Sequence, residues 1–308
     1  MKQDISLREK VQYGTKKNPI TGLHFETGEG TVYPDYFFVE RHWHHYIEIL
    51  YIVRGSYRFE INLQNYILNA GDICILNSGD LHQITGEDSN TIHDAVLFDP
   101  CILAFSYGDE YQEECIQPLV EQMLMLPAIY HGKSRSNEFI LADVQSLMQV
   151  AVGRNDGWYI RSKLLILEII SKIYQAGLML PTESVQSEEE RQKIQHYKTV
   201  VSYMEENYNK QITLQNLADT IPCNSQYLCR FFKDISGYSP IQYLINLRLN
   251  RACYLLEHTS KTILEVALDC GFENVSYFIR KFKETKGCTP KEYRKLNISR
   301  FTDSKDLC

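Results

Sequence analysis

The chain lacks several features that would place it in a protein class at once. Its 308 residues contain no long apolar run, and residues 1–17 show no signal-peptide pattern, so we expect neither a membrane span nor export. The nine cysteines are odd in number, scattered and without a C-x-x-C pair. That usage argues against a disulfide or zinc framework and for reduced thiols. We therefore expect a cytoplasmic globular protein of about two domains.

An overall excess of positive charge is also missing, since the formal net charge is −7. The charge is unevenly distributed. Residues 1–193 carry 16 Lys and Arg against 27 Asp and Glu, whereas residues 194–300 carry 15 against 10. The second half is therefore the half that could bind a polyanion, although many other domains reach the same balance.

An internal repeat is the most informative pattern that is present. Residues 224–243 and 274–293 share eight of twenty positions at a constant offset of 50. Each copy predicts an amphipathic helix with cationic outward positions, a glycine stop and a helix that starts at proline. Two such copies indicate tandem helix-turn-helix units. The identical positions are Asn224/Asn274, Tyr227/Tyr277, Arg230/Arg280, Phe232/Phe282, Lys233/Lys283, Gly237/Gly287, Pro240/Pro290 and Tyr243/Tyr293.

Helix start and stop signals divide the C-terminal half. Thr262–Glu265 has a capping-box pattern, and Ser239 and Thr289 each precede a proline at the first helical position. Gly237 and Gly287 stand where helix ends need a left-handed residue. We predict helices at about 194–207, 214–220, 225–236, 240–257, 263–269, 275–286 and 290–296, with helix-turn-helix motifs at about 214–236 and 263–286.

The outward positions on the second helix of each motif are mostly polar. Arginine suits bidentate contact with guanine, asparagine and glutamine suit adenine, and lysine mostly meets phosphate. Reading helices fixed by the helix at 240–257 would enter successive major-groove turns about 10 base pairs apart. The alternative is a solvated face of a generic helical repeat, but two copies are too few for a solenoid. The candidates are Asn224, Ser225, Gln226, Cys229, Arg230 and Lys233 in the first motif, and Asn274, Ser276, Arg280 and Lys283 in the second.

These motifs support a family resemblance. They are Leu217-Ala218, Leu228–Lys233 with Gly237-x-x-Pro240, Ile263-x-Glu265-Val266-Ala267-x-x-x-Gly271-Phe272, Tyr277-Phe278-x-Arg280-x-Phe282-Lys283 and Gly287-x-x-Pro290-x-x-Tyr293-Arg294. Residues 197–294 thereby resemble the DNA-binding domain of AraC/XylS-type bacterial transcription regulators. The resemblance implies binding to double-stranded promoter DNA, usually as an activator that contacts RNA polymerase. By motif position it adds Val275 and Ile279 to the base-facing candidates.

The N-terminal half predicts strands followed by helices. Short strand-like runs occur at 36–39, 46–53, 56–62, 73–76 and 91–98, and helical spacing occurs at 115–126, 139–152 and 160–178. The polar stretch 181–193 is the best linker candidate. The predicted fold class is α+β. It comprises a barrel domain at 1–110, a helical segment at 111–180, the linker, and an all-α DNA-binding domain at 194–297.

A histidine and glutamate pattern marks the barrel. His42, His44, Tyr46 and Glu48 would share one face of a strand, and His82 follows a Gly-rich stretch. The spacing resembles the two motifs of the cupin barrel, although Asn77 stands where the enzymes usually have proline. Three histidines and one glutamate could ligate a metal, but in regulators of this type such residues often line a pocket without one. We predict no cofactor and no catalysis.

The favoured interpretation is a pocket for a small polar effector. Aromatic rings beside His and Glu suit a sugar or sugar derivative. A phosphorylated sugar would need cations, and Arg41, Arg54 and Arg58 are the nearby ones. The rival hypotheses are a metal sensor or metal enzyme fused to a DNA-binding domain, and a regulator that has no small-molecule effector. The predicted effector residues are Tyr36, Phe38, His42, His44, Tyr46, Glu48 and His82, and the alternative metal set is His42, His44, Glu48 and His82.

The helices at 111–178 have wider apolar faces than a thin barrel needs. The resemblance implies that helices in this position form a homodimer interface, and the alternative is that they simply cap the barrel. A dimer would present four reading helices, which would increase discrimination between DNA sequences.

Overall fold

The computed structural model describes residues 13, 15, 17–29, 31, 33, 37–132, 138–185 and 187–295. The chain divides into two compact units, and the division falls between Gln192 and Lys193. The first unit is rich in strands and the second is helical, which confirms the predicted fold class.

Antiparallel sheets make up much of the first unit. Its described strands are β1 (Ile20–Glu26), β2 (Phe38–His42), β3 (Ile47–Arg54), β4 (Ser56–Ile61), β5 (Gln64–Asn69), β6 (Ile73–Leu76), β7 (His82–Gly86), β8 (Ile92–Phe98), β9 (Leu124–Met125), β10 (Ile129–Tyr130) and β11 (Leu180–Pro181). The five-stranded sheet has the order β1-β8-β3-β6-β10 and the four-stranded sheet has the order β2-β7-β4-β5, while β11 and β9 form a separate pair.

Strand β3 shows why the five-stranded sheet is buried on both faces. Its alternate residues Leu50 and Ile52 pack into a cluster shared with the four-stranded sheet, whereas Ile47 and Ile49 pack into a second cluster with helices. A strand covered on both faces reads as an almost continuous apolar run. Glu48 interrupts that run on the face toward the other sheet.

Helices cover the outer face of this sheet. They are the four-residue α1 (Gln117–Val120), α2 (Glu138–Gly153) and α3 (Trp158–Gln175). Gly22 on β1 lets α2 approach closely, because a Cβ atom there would lie 2.4 Å from the backbone of Ala151. The helix predicted at 115–126 was wrong in its extent. A π-type turn leads into α1, the helix ends at Val120, and residues 124–125 instead pair with residues 180–181.

The polar stretch 181–193 is largely helical. It contains α4 (Thr182–Val185) and the beginning of α5 (Glu188–Asn207). The boundary between the two compact units falls within α5.

In the described part of the second unit, five helices with both ends defined follow α5. They are α6 (Leu214–Ala218), α7 (Ser225–Ser236), α8 (Pro240–His258), α9 (Ile263–Asp269) and α10 (Val275–Lys286), and helical backbone begins again at Pro290 and reaches residue 295. The predicted bounds of α7, α9 and α10 agree residue for residue with these, and the other helices differ mainly at their ends. No helix in the described parts of the chain is long and apolar enough to cross a membrane.

The sequence repeat is also a packing repeat. The rings of Phe232 and Tyr243 meet edge to face with centroids 5.4 Å apart, and those of Phe282 and Tyr293 do so at 5.5 Å. Each pair joins the second helix of a motif to the helix that follows it. The identity of these aromatic residues in the two copies is therefore explained by packing in the core and does not indicate a surface contact.

Candidate functional site

The helices α7 and α10, here called the reading helices, begin and end in the same way. The side-chain oxygen of Asn224 accepts a hydrogen bond from the backbone N–H of Tyr227 at 2.8 Å, and that of Asn274 accepts one from Tyr277 at 2.9 Å. Each helix ends at a glycine with a φ near +77°, namely Gly237 at 75° and Gly287 at 79°. Local sequence therefore fixes the length of both helices.

Each reading helix presents an exposed polar stripe. Gln226, Arg230 and Lys233 are exposed on α7, at spacings of four and three residues. The stripe on α10 lies at the same offset of 50 and consists of Ser276, Arg280 and Lys283, all exposed. Such a stripe on the second helix of a helix-turn-helix is the surface that enters a major groove.

Other predicted DNA-facing residues have structural contacts. Asn224 and Asn274 are the helix caps. The Ser225 hydroxyl donates to the side-chain oxygen of Gln215 at 3.3 Å, and Val275 packs partly against the core of the second motif. Ile279 is 37% exposed beside Arg280, and Cys229 is half-buried. The structure thus concentrates exposed cationic groups at Arg230, Lys233, Arg280 and Lys283.

Arg248 on α8 connects the second motif to the loop that precedes the first. Its guanidinium donates to the backbone oxygens of Tyr208 and Lys210, both at 2.7 Å, and lies over the ring of Phe272. Burial lowers the pKa of this guanidinium, although arginine stays protonated. Gly271 lies against the same loop, since a Cβ atom there would be 2.5 Å from the Tyr208 oxygen. These contacts hold the second motif against the helix–loop segment that precedes the first.

In the first unit, three histidines gather at one end of the sheets. His42 and His82 are cross-strand partners on β2 and β7, and their rings are 4.1 Å apart. The ring of His44 lies 5.0 Å from that of His82. One ligand atom from each of the three lies within 4.8 Å of the others. We call this group the histidine cluster.

Glu48 adjoins the histidine cluster. Its Oε2 atom is 3.3 Å from Nε2 of His44 and 4.0 Å from Nε2 of His82. Glu48, His44 and His82 are all buried. These residues lie close together, as predicted. The prediction that His42, His44 and Glu48 lie on one strand was wrong, because β2 ends at His42 and β3 begins only at Ile47.

The turn between β6 and β7 positions His82. The Asp80 carboxylate accepts hydrogen bonds from the Asn62 amide at 2.6 Å and from the backbone N–H of Asn77 at 2.8 Å. The Asn77 amide in turn donates to the backbone oxygen of Leu126 at 3.0 Å and accepts from its N–H at 2.8 Å. Asparagine in place of the usual proline thus ties this turn to the segment after α1.

The aromatic residues predicted to line the pocket differ in their locations. Tyr46 is buried, and its ring contacts those of His44 and Tyr13 with centroids 5.8 and 5.6 Å apart. Phe38 pairs with Thr85 and, because strand residues alternate, lies on the opposite face from Val39, which packs into the interior. A register shift between Val39 and His42 returns His42 to the interior. The strand register therefore does not favour Phe38 as a pocket residue, and Tyr36 lies outside the described residues.

The three candidate phosphate-binding arginines have carboxylate partners. Arg41 pairs with Glu60, Arg54 with Glu26 at 3.2 Å, and Arg58 with Glu87 at 2.8 Å. These pairs neutralise the cations that a phosphorylated effector would need.

Comparison with known proteins assigns the family. A model of the AraC-like ligand binding domain matches residues 26–125, and a model of a helix-turn-helix domain matches residues 217–296. The chain belongs to the AraC family of transcription regulators. Similar proteins include the uncharacterized regulator YdeC of Bacillus subtilis, which is 24% identical over 84% of this chain and 87% of its own length. The activator RhaS of Escherichia fergusonii is 23% identical, with coverages of 82% and 86%. The melibiose operon regulatory protein of Escherichia coli is 23% identical, with 84% of each chain covered.

This AraC-type regulator also contains a buried polar residue that the sequence analysis missed. His93 on β8 lies among the rings of Phe25, Phe37 and Tyr57, and its Nδ1 is 2.8 Å from the Tyr57 hydroxyl. Burial, with a smaller contribution from the nearby His24, lowers the pKa of His93 to about 3. The sequence signal that could have predicted its burial is the period of two that it shares with Ala95 and Leu97, which face the interior.

Proposed function

We propose that the reading helices bind two successive major-groove segments of promoter DNA in a sequence-dependent way. The observation that carries the proposal is the pair of exposed stripes at the same offset of 50 on two identically capped helices. Arg230 and Arg280 are the base-reading candidates, and Lys233 and Lys283 are the phosphate-contacting ones. The contacts of Arg248 and Gly271 support a fixed spacing between the two helices.

We also propose that the first unit responds to a small polar effector at the end that holds the histidine cluster. The buried imidazoles and Glu48 supply hydrogen-bonding groups, and the Tyr46 and Tyr13 rings supply apolar surface. One relative is named for a sugar operon, which favours a sugar or sugar derivative. Because Arg41, Arg54 and Arg58 already have acidic partners, a neutral effector fits better than a phosphorylated one.

The protein would act as a cytoplasmic activator and a homodimer. The name of one relative supports the activating role, in which a promoter-bound regulator contacts RNA polymerase. The dimer is supported by α3, where Ile160 and Leu164 are exposed one helical turn apart. We propose no catalytic activity for the sheet domain.

Replacement of one arginine tests the DNA interface. Duplexes selected from a random pool by the full chain provide a specific target. We expect Arg280→Ala to weaken binding to that target by about 1–3 kcal/mol, because one bidentate base contact is lost, and to relax the preference at one base position. Fluorescence anisotropy at a fixed salt concentration measures the change.

Arg58→Ala is the matched control, since it removes an equal charge from an exposed strand of the other unit. Its affinity should stay within twofold of the unmodified chain. The proposed interface would be refuted if Arg280→Ala bound the selected duplex as tightly as the control did.

A further inference from the structure

The two reading helices place the same pair of residues in different surroundings. Tyr277 and Arg280 on α10 stand at the offset of 50 from Tyr227 and Arg230 on α7. In α10 the guanidinium carbon of Arg280 lies 5.4 Å from the centroid of the Tyr277 ring, a distance at which the face of a ring attracts a cation. Residues three apart are neighbours on a helix, so the contact depends on α10 alone.

One difference between the copies accounts for the absence of this contact from α7. The Tyr227 ring packs instead against the ring of Phe231, with centroids 5.2 Å apart. The corresponding residue of α10 is Lys281, which offers no ring. Tyr277 packs partly against the core of the second motif, 6.3 Å from the ring of Phe272, and this contact fixes the ring in place. The Tyr277 ring is therefore an anchored surface for the cation.

A carboxylate gives Arg280 a second contact. Oε1 of Glu284 lies 3.9 Å from Nε of Arg280, and its Oε2 accepts a hydrogen bond from Nζ of Lys281 at 2.7 Å. That hydrogen bond lowers the pKa of Glu284, so the carboxylate is charged at neutral pH. The residue at this position of α7 is Asp234, whose side chain is one methylene shorter. Within the described residues, Arg230 has neither a ring contact nor an ion pair of this kind.

These contacts orient Arg280 and leave its base-reading atoms open. The closest approach of Glu284 is to Nε, so the two Nη groups remain for a bidentate contact with guanine. Arg280 and Glu284 are 65% and 51% exposed, and an ion pair this exposed adds little to the stability of the fold. Its effect is on orientation, because a side chain that is already held loses less freedom on binding and rearranges less readily toward a different base.

We propose that Tyr277 and Glu284 are positioning residues for Arg280, so that α10 is the more sequence-selective reading helix and α7 tolerates more sequences. The inference rests on the proposed DNA-reading role and deepens it, since it assigns unequal selectivity to the two helices. The base pair read by Arg280 should therefore contribute more to discrimination than the one read by Arg230.

The test compares two duplexes for each variant of the full chain. One is the selected duplex, and the other carries a substitution at the base pair whose preference is relaxed in Arg280→Ala. The readout is the ratio of their dissociation constants, measured by fluorescence anisotropy at a fixed salt concentration. We expect this ratio to fall about threefold or more in Glu284→Gln and in Tyr277→Leu, because Arg280 is no longer held. Tyr277→Phe should keep the ratio, since a phenyl ring still attracts a cation.

The repeat supplies matched controls on α7. Asp234→Asn removes the same charge at the same position of the copy, and Tyr227→Leu removes the equivalent ring. Both should leave the corresponding ratio unchanged at the base pair most affected by Arg230→Ala. A change in folding or in attraction to phosphate weakens or strengthens binding to both duplexes alike, so it does not alter the ratio. Glu284→Gln changes an exposed residue and decides the outcome if Tyr277→Leu does not fold.

An unchanged ratio in Glu284→Gln, or an equal fall in Asp234→Asn, would overturn the positioning role. A larger loss of discrimination in Arg230→Ala than in Arg280→Ala would overturn the greater selectivity of α10. The proposed function has a separate readout. If the full chain selects a sequence but the variants discriminate as well as it does, only the positioning role is refuted, whereas failure to select any sequence would refute the DNA-reading role itself.

Discussion

At the scale of single residues, the two asparagines Asn224 and Asn274 have a structural role in both copies of the repeat. Identity at a constant offset and a place at the start of a reading helix predicted DNA contact. Their side chains accept hydrogen bonds from the third residue along, which is the standard role of asparagine at a helix start. Their identity in both copies is accounted for by helix capping, and the exposed Arg230 and Arg280 remain as the base-reading candidates.

His93 provides a residue-scale prediction about pH. Burial lowers its pKa to about 3, below the usual value of about 6.5, so the unfolded chain binds a proton that the folded chain excludes. The stabilising contribution is therefore complete above pH 6.5 and is lost as the pH falls from 6.5 toward 3, at about 1.4 kcal/mol per pH unit. Chemical denaturation at pH 7 and pH 5 measures this loss.

Replacement of the ring should flatten that dependence. In His93→Gln the drop in unfolding free energy between pH 7 and pH 5 should be about 2 kcal/mol smaller than in the unmodified chain. His131→Gln, whose side chain is 62% exposed, serves as the control and should keep the original acid sensitivity. An unchanged slope in His93→Gln would mean that His93 already binds its proton in the folded protein.

At the scale of elements, the turn between α9 and α10 depends on glycine for two reasons. Gly271 has a φ of +80°, and a Cβ atom there would also approach the Tyr208 oxygen to 2.5 Å. Gly287, at the end of α10, has nearly the same φ of +79° but nothing within 4 Å. A side chain at Gly287 would therefore add backbone strain alone, whereas a side chain at Gly271 would add both strain and a steric clash.

We expect Gly287→Ala to cost about 1 kcal/mol of unfolding free energy and Gly271→Ala clearly more, since the second substitution adds the clash to the strain. The larger loss should be accompanied by weaker binding to selected DNA, because the turn holds α10 in place. Urea denaturation of both variants gives the comparison. Equal losses would show that the loop containing Tyr208 moves aside at little cost.

At the scale of the whole molecule, α3 carries two large apolar side chains that the described residues leave exposed. Ile166, Ile169 and Ile173 are buried under the sheet, whereas Ile160 and Leu164 are 58% and 61% exposed. In the proposed dimer, a second copy of the chain would cover these two side chains. We expect Leu164→Glu to shift the chain from dimer to monomer in sedimentation velocity at micromolar concentrations.

Leu264→Glu is a suitable comparison, because Leu264 is 53% exposed on α9 in the other unit. That variant should remain dimeric. If the unmodified chain already sediments as a monomer, or if Leu164→Glu remains a dimer, α3 is not the interface.

The sequence by itself determined the features that depend on local chemistry. Caps, glycine stops and the 3.6-residue period fixed the bounds of α7, α9 and α10, since each signal acts within a few residues. The sequence pattern also predicted that His42, His44, Glu48 and His82 lie together, although the single strand assumed for the first three was wrong. The first strand, β1, and the pairing of β9 with β11 were not predicted, because short strands carry weak signals and acquire stability only from their partners.

Only the tertiary structure decided how the cluster is built. The register shift in β2, the break before β3 and the Asp80 turn bring the three imidazoles together. The turn depends on residues far apart in the chain, such as Asn62 and Leu126. The tertiary structure also showed that Arg248 and Gly271 bind the Tyr208 loop. A sequence pattern records the periodicity of one element, whereas register and long-range hydrogen bonds are set when separate elements pack.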